Sequence, residues 1–261
     1  MIQKPNITIY QRGVKPLPGP MEPEFTYLLS LSDTSQTVIL PEYFSIHQEL
    51  SGIDEIINYS KQTLEWLTAL SAHRRAQDTL IVGGTLLHRN VDNTLSNVAP
   101  ILFNGELVYS YEKRKLFGKE ASKLRPGVDP GIFTHPATKD PWGFLICADV
   151  KIPNVFTQYQ KQKFLAIPTA SPYLPEDTPE QRDKRDYNIY VKGAEISGST
   201  IFKCCSTGTV ATGGPISSVQ GRSLIASGHK VLALAPEIDW QGALCFDTEN
   251  KTAEYRPYNN D

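Results

Sequence analysis

The sequence predicts a layered α/β sandwich, and three observations lead to it. Apolar runs of strand length recur along the 261 residues. A stretch of helical period separates two of them, and an Asn-Gly dipeptide joins two others as a hairpin. Strands alternating with helices build layers, and the intruding hairpin argues against a purely parallel sheet.

The elements follow in order. "NITIYQ" alternates like an opening strand, and the proline-rich "KPLPGPMEP" after it is a loop. "QTVILPE" is a second short apolar run that ends at Pro41-Glu42. From Asp54 to about Arg75, Ile57, Leu64, Leu67 and Leu70 recur at helical spacing, which predicts an amphipathic helix. "TLIVGG" reads as a buried strand closed by two glycines. "NVAPILFNGELVYSYEK" reads as two strands joined at Asn104-Gly105. "GFLICADVKIP" and "KFLAIPTAS" are further apolar runs. Thr178 and Gln181 have capping-box spacing, with Pro179 at the first helical position. "STIFKCCSTG", "GRSLIASGHKVLALA" and "GALCFD" close the chain as strands and turns. No repeat, low-complexity tract or linker interrupts it, so one domain over 1–261 is expected.

Composition narrows the function. Charged residues are 21% and hydrophobic ones 40%, close to the average of soluble proteins. A net charge of −2 argues against nucleic acid or an anionic membrane as the main partner. No apolar run has the length of a membrane span, and the N-terminus lacks the features of a signal peptide. Four cysteines, two of them adjacent at Cys204-Cys205, do not make a disulfide framework in a chain this long, so a reduced, cytoplasmic protein is expected. Five histidines without ligand spacing, and no Cys-x-x-Cys pair, give no zinc site. "VGGTLLHRN" lacks the Gly-Lys-Ser/Thr ending of a phosphate loop. No metal or organic cofactor is expected.

Three apolar strands end in a group that carries chemistry: Glu42 after "VILP", Lys113 after "LVYSYE" and Cys147 after "FLI". Strand ends hold side chains rigidly while leaving them accessible, which is where α/β folds place their sites. A thiol near its free pKa is only a few per cent thiolate at neutral pH and needs a base. Glu42 suits that role, and Lys113 suits a developing oxyanion. Taken singly, each residue also has a plain structural reading. A cysteine after an apolar strand is a small core residue, a glutamate after proline a solvated turn, and "YEKRKLFGKE" a charged surface segment.

The combination resembles the nitrilase (carbon–nitrogen hydrolase) superfamily, amidase-like branch, over most of the chain. "VILPEYF" is similar to the segment around the family's catalytic Glu, which places that role on Glu42. "YEKRKLF" resembles Tyr-x-Lys-x-His-Leu-Phe, which makes Lys113 the catalytic lysine and puts Lys115 where histidine is usual. "EASKLRPG" implicates Glu120 as the second family glutamate, and "GFLICADVKIP" makes Cys147 the nucleophile. "LIVGGT", Asn97, "GAEISG" with Glu195, "GRS" and "GHKVLALA" are supporting matches.

The resemblance implies a four-layer αββα sandwich, a homodimer or higher homo-oligomer, and hydrolysis of a small-molecule amide through a cysteine thioester. The Ala148 N–H is implied as an oxyanion donor. Tyr43, Lys151, Thr169, Ser171 and Tyr173 are the expected substrate contacts. The family's usual Arg and Glu are replaced by Lys151 and Asn154, and lysine does not reproduce the planar fork of arginine. "CAD" is similar to the amidase and carbamoylase branches, whereas true nitrilases tend to have Trp-Glu after the nucleophile. The alternatives are an N-carbamoyl amine or amino acid hydrolase, a nitrilase, and a non-catalytic member kept for binding or assembly.

Overall fold

The computed structural model describes residues 6–14, 22–44, 52–170, 178–210, 217–219, 221–237 and 239–258. Its first half contains β1 (Asn6–Gly13), α1 (Glu22–Ser32), β2 (Ser35–Ile39), α2 (Ile53–Ala72), β3 (Leu80–Val82), β4 (Leu86–Arg89), β5 (Leu95–Phe103) and β6 (Glu106–Glu112). Then come β7 (Gly131–Thr134), β8 (Pro141–Phe144), β9 (Phe164–Thr169), α3 (Pro179–Asp186), α4 (Lys192–Ser197) and β10 (Thr200–Val210). The last strands are β11 (Ser217–Val219), β12 (Leu224–Ser227), β13 (Lys230–Leu234), β14 (Gly242–Asp247) and β15 (Thr252–Pro257).

In the first sheet β1, β2 and β3 run parallel, while β5 and β14 join antiparallel. In the second, β8, β9 and β10 run parallel, with β7 and the β12–β13 hairpin antiparallel at its flanks. The sheets meet where the end of β1 pairs with β10, Arg12 opposite Ser206.

The two-residue period of the strands sorts side chains into layers. Ile39 and Phe202 face the space between the sheets, with Ile7, Ile9, Trp142, Phe144 and Phe164. Their neighbours Val38, Leu40 and Ile201 face the other way. Val38 and Leu40 pack under α1 and α2 against Leu28, Leu31, Leu67 and Leu70. Ile201 packs with Leu165 and Ile167 under Tyr159, Val191 and Ala194. The result is the four-layer αββα sandwich, with the thiol of Cys204 inside the inter-sheet core.

The expected elements are found, with three differences. α1 (Glu22–Ser32) opens inside the proline-rich stretch expected as loop, because Leu28 and Leu31 on its buried face pack against Leu67 and Leu70 of α2. The strand expected to run through Phe144-Leu145-Ile146 to Cys147 ends at Phe144, and the chain turns before Cys147. The helix predicted to run to about Arg75 ends at Ala72, because His73 is extended and its ring nitrogen caps the following 3-10 turn at the Arg75 N–H (3.2 Å). The hairpin at Asn104-Gly105 joins β5 to β6, both turn residues having positive φ. Thr178 and Gln181 exchange the two bonds of a capping box. No helix among the described residues is long and apolar enough to cross a membrane.

Candidate active site

The chain leaves β2 through Leu40-Pro41 and turns at Glu42-Tyr43. Tyr43 has φ 54, a left-handed conformation that costs a residue with a side chain about 1–2 kcal/mol. The neighbouring strand makes room for this turn. Gly84 (φ 67) lies so close to the Pro41 carbonyl that no side chain fits there. Thr85 Oγ1 accepts the Tyr43 N–H (3.0 Å), and Ser206 Oγ donates to the Glu42 carbonyl (3.2 Å).

Glu42 is buried and its carboxylate is fully engaged. Oε1 accepts from Lys113 Nζ (2.7 Å) and Asn97 Nδ2 (3.1 Å), and Oε2 from the Ala170 N–H (2.9 Å). The Cys147 thiol lies beside the same carboxylate, close enough for each group to shift the titration of the other. Lys113 follows β6 directly, with its N–H on the Asn97 carbonyl and its own carbonyl taking the Gly127 N–H (both 2.9 Å). Its ammonium also donates to Glu120 Oε2 (2.7 Å), while Glu120 Oε1 accepts from Asn97 Nδ2 (3.0 Å) and from the Tyr43 hydroxyl. One ammonium thus bridges two carboxylates, and one amide braces both.

Cys147 opens a 3-10 turn, Cys147–Lys151, with φ 42. A left-handed residue at that place holds its side chain at the tip of a sharp bend. The Cys147 and Ala148 N–H groups begin the turn and so have no partner within it. Asp149, fully buried, ties the turn to the lysine segment. Its carboxylate accepts the N–H groups of Ile146 (2.9 Å), Arg114 (3.0 Å) and Lys115 (2.6 Å) and the Tyr111 hydroxyl (2.7 Å).

Burial raises the Glu42 pKa above its ordinary value, against the pull of Lys113. Burial also pushes Glu120 up, but the Lys113 charge and the bonds from Lys113 and Tyr43 outweigh it and hold Glu120 low. For Lys113, desolvation is overcome by the charges around it, Glu42 first, and its pKa is raised. Burial and then the Glu42 charge raise Cys147, so the sulfur rests as a thiol beside a base. The ensemble can move a proton from sulfur to carboxylate while the ammonium stays charged.

Neither a protein-family sequence model nor a curated protein sequence matches the chain. Solved structures do. An amidase of Nesterenkonia AN1 from the nitrilase superfamily superposes with a TM-score of 0.73 at 16% identity, over 95% of this chain and 92% of that one. Saccharomyces cerevisiae Nit3, a member of branch 10 of that superfamily, gives 0.73 at 17% over 92% and 88%. The fold is that of the nitrilase superfamily. Glutamine-dependent NAD+ synthetase from Acinetobacter baumannii also matches, with a TM-score of 0.73 at 15% identity, over 98% of this chain but 48% of the synthetase.

The fold brings together Glu42, Lys113, Glu120 and Cys147, with Tyr43 and Asn97 at hydrogen-bonding distance and Ala148 on the Cys147 turn. Of the expected substrate contacts, Thr169 is buried at the end of β9 and donates its hydroxyl to the Ile167 carbonyl (3.0 Å). Lys151 is exposed, with its ammonium 4.6 Å from the centre of the Phe117 ring. Ser171 and Tyr173 lie outside the described residues. Glu195 sits on the surface beside His229. Sequence reasoning missed Thr85, Ser206 and the Ala170 N–H. They act through one hydroxyl or one backbone group each, and only the glycine pair before Thr85 signalled a close approach. Among the described residues no cluster of His, Cys, Asp or Glu suits a metal ion.

Proposed function

We propose that the protein hydrolyses the amide of a small molecule to an acid and ammonia or an amine, with Cys147 as nucleophile. The observation that carries this reading is the buried Glu42 carboxylate, held by the Lys113 ammonium at 2.7 Å and set beside the Cys147 thiol. Glu42 takes the thiol proton as sulfur attacks the carbonyl carbon. Charge moves to the carbonyl oxygen, where Lys113 and the Ala148 N–H stabilise it. Collapse expels the amine, which takes the proton from Glu42, and leaves a thioester. Glu42 then removes a proton from water, which attacks the thioester. The acid departs and the sulfur recovers its proton. Glu120 keeps the Lys113 ammonium aimed at the oxyanion, and Tyr43 keeps Glu120 in place. Lys151 at the rim is proposed to meet the outer part of the substrate.

A related observation supports the chemistry. In a variant of the Nesterenkonia amidase, 18% identical and with a TM-score of 0.70, the acetamide moiety of fluoroacetamide is added covalently at the active-site cysteine. The reading is tested by ammonia release from a panel of small amides, N-carbamoyl compounds and nitriles. Turnover of amides, lost in C147A, supports it. Carbon dioxide released with ammonia from carbamoyl compounds assigns the carbamoylase alternative. Failure of every class, with Cys147 no more reactive than Cys245, contradicts it in favour of a binding protein. The protein is proposed to act as one 1–261 domain in the cytoplasm, as a homodimer or higher homo-oligomer.

A further inference from the structure

The strained turn that carries Glu42 is held at three successive residues, and the third hold is of a different kind. Thr85 takes the Tyr43 N–H and Ser206 takes the Glu42 carbonyl, each through an uncharged hydroxyl. The Phe44 carbonyl is taken by Arg12, whose Nη1 donates to it. The rest of this guanidinium is held by Glu24 of α1, with Nε on Oε1 (2.7 Å) and Nη2 on Oε2 (3.3 Å). The Tyr10 hydroxyl donates to the same carboxylate (3.0 Å). The guanidinium carbon stands 4.7 Å from the centre of the Phe44 ring, so one side chain grips both the backbone and the side chain of Phe44. Arg12 and Ser206 are opposite each other where β1 meets β10, so two of the three holds come from one cross-strand pair.

Both ions are buried, Arg12 at 5% and Glu24 at 1% exposure. A buried ion pair is a poor device for stability alone, because a well-packed apolar pair ties a helix to a strand at least as well. An apolar pair cannot donate a hydrogen bond to the Phe44 carbonyl while leaving the turn in its left-handed form. Lysine could donate there, but it lacks the fork that meets the carboxylate and the carbonyl at once.

We propose that Arg12, oriented by Glu24, is a positioning residue for Glu42. It fixes the far side of the turn, so that the Tyr43 hydroxyl stays on Glu120 and the Glu42 carboxylate stays between Lys113 and Cys147. The inference rests on the reading of Glu42 as the base for Cys147.

The test is the rate of Cys147 alkylation by iodoacetamide, followed by intact mass and peptide mapping in the full chain, and separated into a saturating rate constant and a half-saturation concentration. The double variant R12M/E24Q removes the charges and keeps the bulk. Its rate constant is expected to fall at least tenfold, with the half-saturation concentration within twofold and thermal unfolding within a few degrees of wild type. R12K keeps a donor and is expected to recover part of the rate. A folded double variant that alkylates at the wild-type rate overturns the proposal. Should the double variant not fold, R12K alone decides, at threefold slower or more against no change. Wild-type Cys147 reacting no faster than Cys245 would instead remove the underlying reading of Glu42, a result distinct from either.

Discussion

Cys147 rests as a thiol because burial and the Glu42 charge both disfavour its anion. On the proposed mechanism its reactivity follows the protonation of Glu42 rather than its own titration. A carboxylate accepts a proton only when ionised, and burial raises the Glu42 pKa. The rate of Cys147 acylation or alkylation is expected to rise with pH along a limb centred above the ordinary carboxylate value of about 4.3. A pH–rate profile checks this. Lys113 is the single ammonium between two carboxylates, so K113M strands buried charge and should cost about 3–5 kcal/mol in denaturant unfolding. The sign of its pH dependence follows from the two carboxylates: Lys113 lowers the pKa of both Glu42 and Glu120, so its removal raises both folded values above those of wild type. A folded pKa raised above the unfolded one means that ionisation opposes folding as pH rises, here more in K113M than in wild type. The deficit of K113M should therefore be larger at pH 8 than at pH 5.

At the scale of elements, the site is a set of turns held at strand ends. Asp149 is the clearest case, because one carboxylate fixes the Cys147 turn at Ile146 and the Lys113 segment at Arg114 and Lys115. D149N keeps the shape but replaces a charged acceptor with one carbonyl oxygen and an NH2 that faces N–H donors. It is expected to lose about 2–3 kcal/mol of stability and to slow Cys147 alkylation, both read on the purified variant. The strand ends themselves were legible in the sequence, since an apolar run that stops at Glu42, Lys113 or Cys147 is a local pattern. The capping box at Thr178 and the hairpin at Asn104-Gly105 were legible for the same reason. α1 was not. It opens at Glu22 inside the proline-rich stretch, and the residues its Leu28 and Leu31 pack against, Leu67 and Leu70 of α2, lie far along the chain.

Across the whole molecule, the two sheets share one aromatic core, and the site lies at their common edge. Trp142, fully buried, stacks with Phe144 and Phe202 and packs at a tilt against Phe164 within it. W142A should cost about 3–5 kcal/mol, a fall of roughly 6–20 °C in Tm for a chain of this size. The layers could be foreseen from alternating apolar residues, and the αββα arrangement from the resemblance. The seam between sheets at Arg12 and Ser206 could not, because no local pattern marks which strand of one sheet touches the other. For Glu42 and Lys113, 71 residues apart in sequence and in direct contact, no local pattern gives the meeting either, and the resemblance alone supplied it.

The account stands on acyl transfer to one sulfur, and that is measured most directly by trapping the intermediate. Wild-type protein is incubated with an amide that turns over, quenched in acid and mapped by mass. The account predicts the acyl mass on the peptide containing Cys147, and its absence in C147A. Turnover with an acyl group on Cys204, Cys205 or Cys245, or undiminished turnover in C147A, would contradict it.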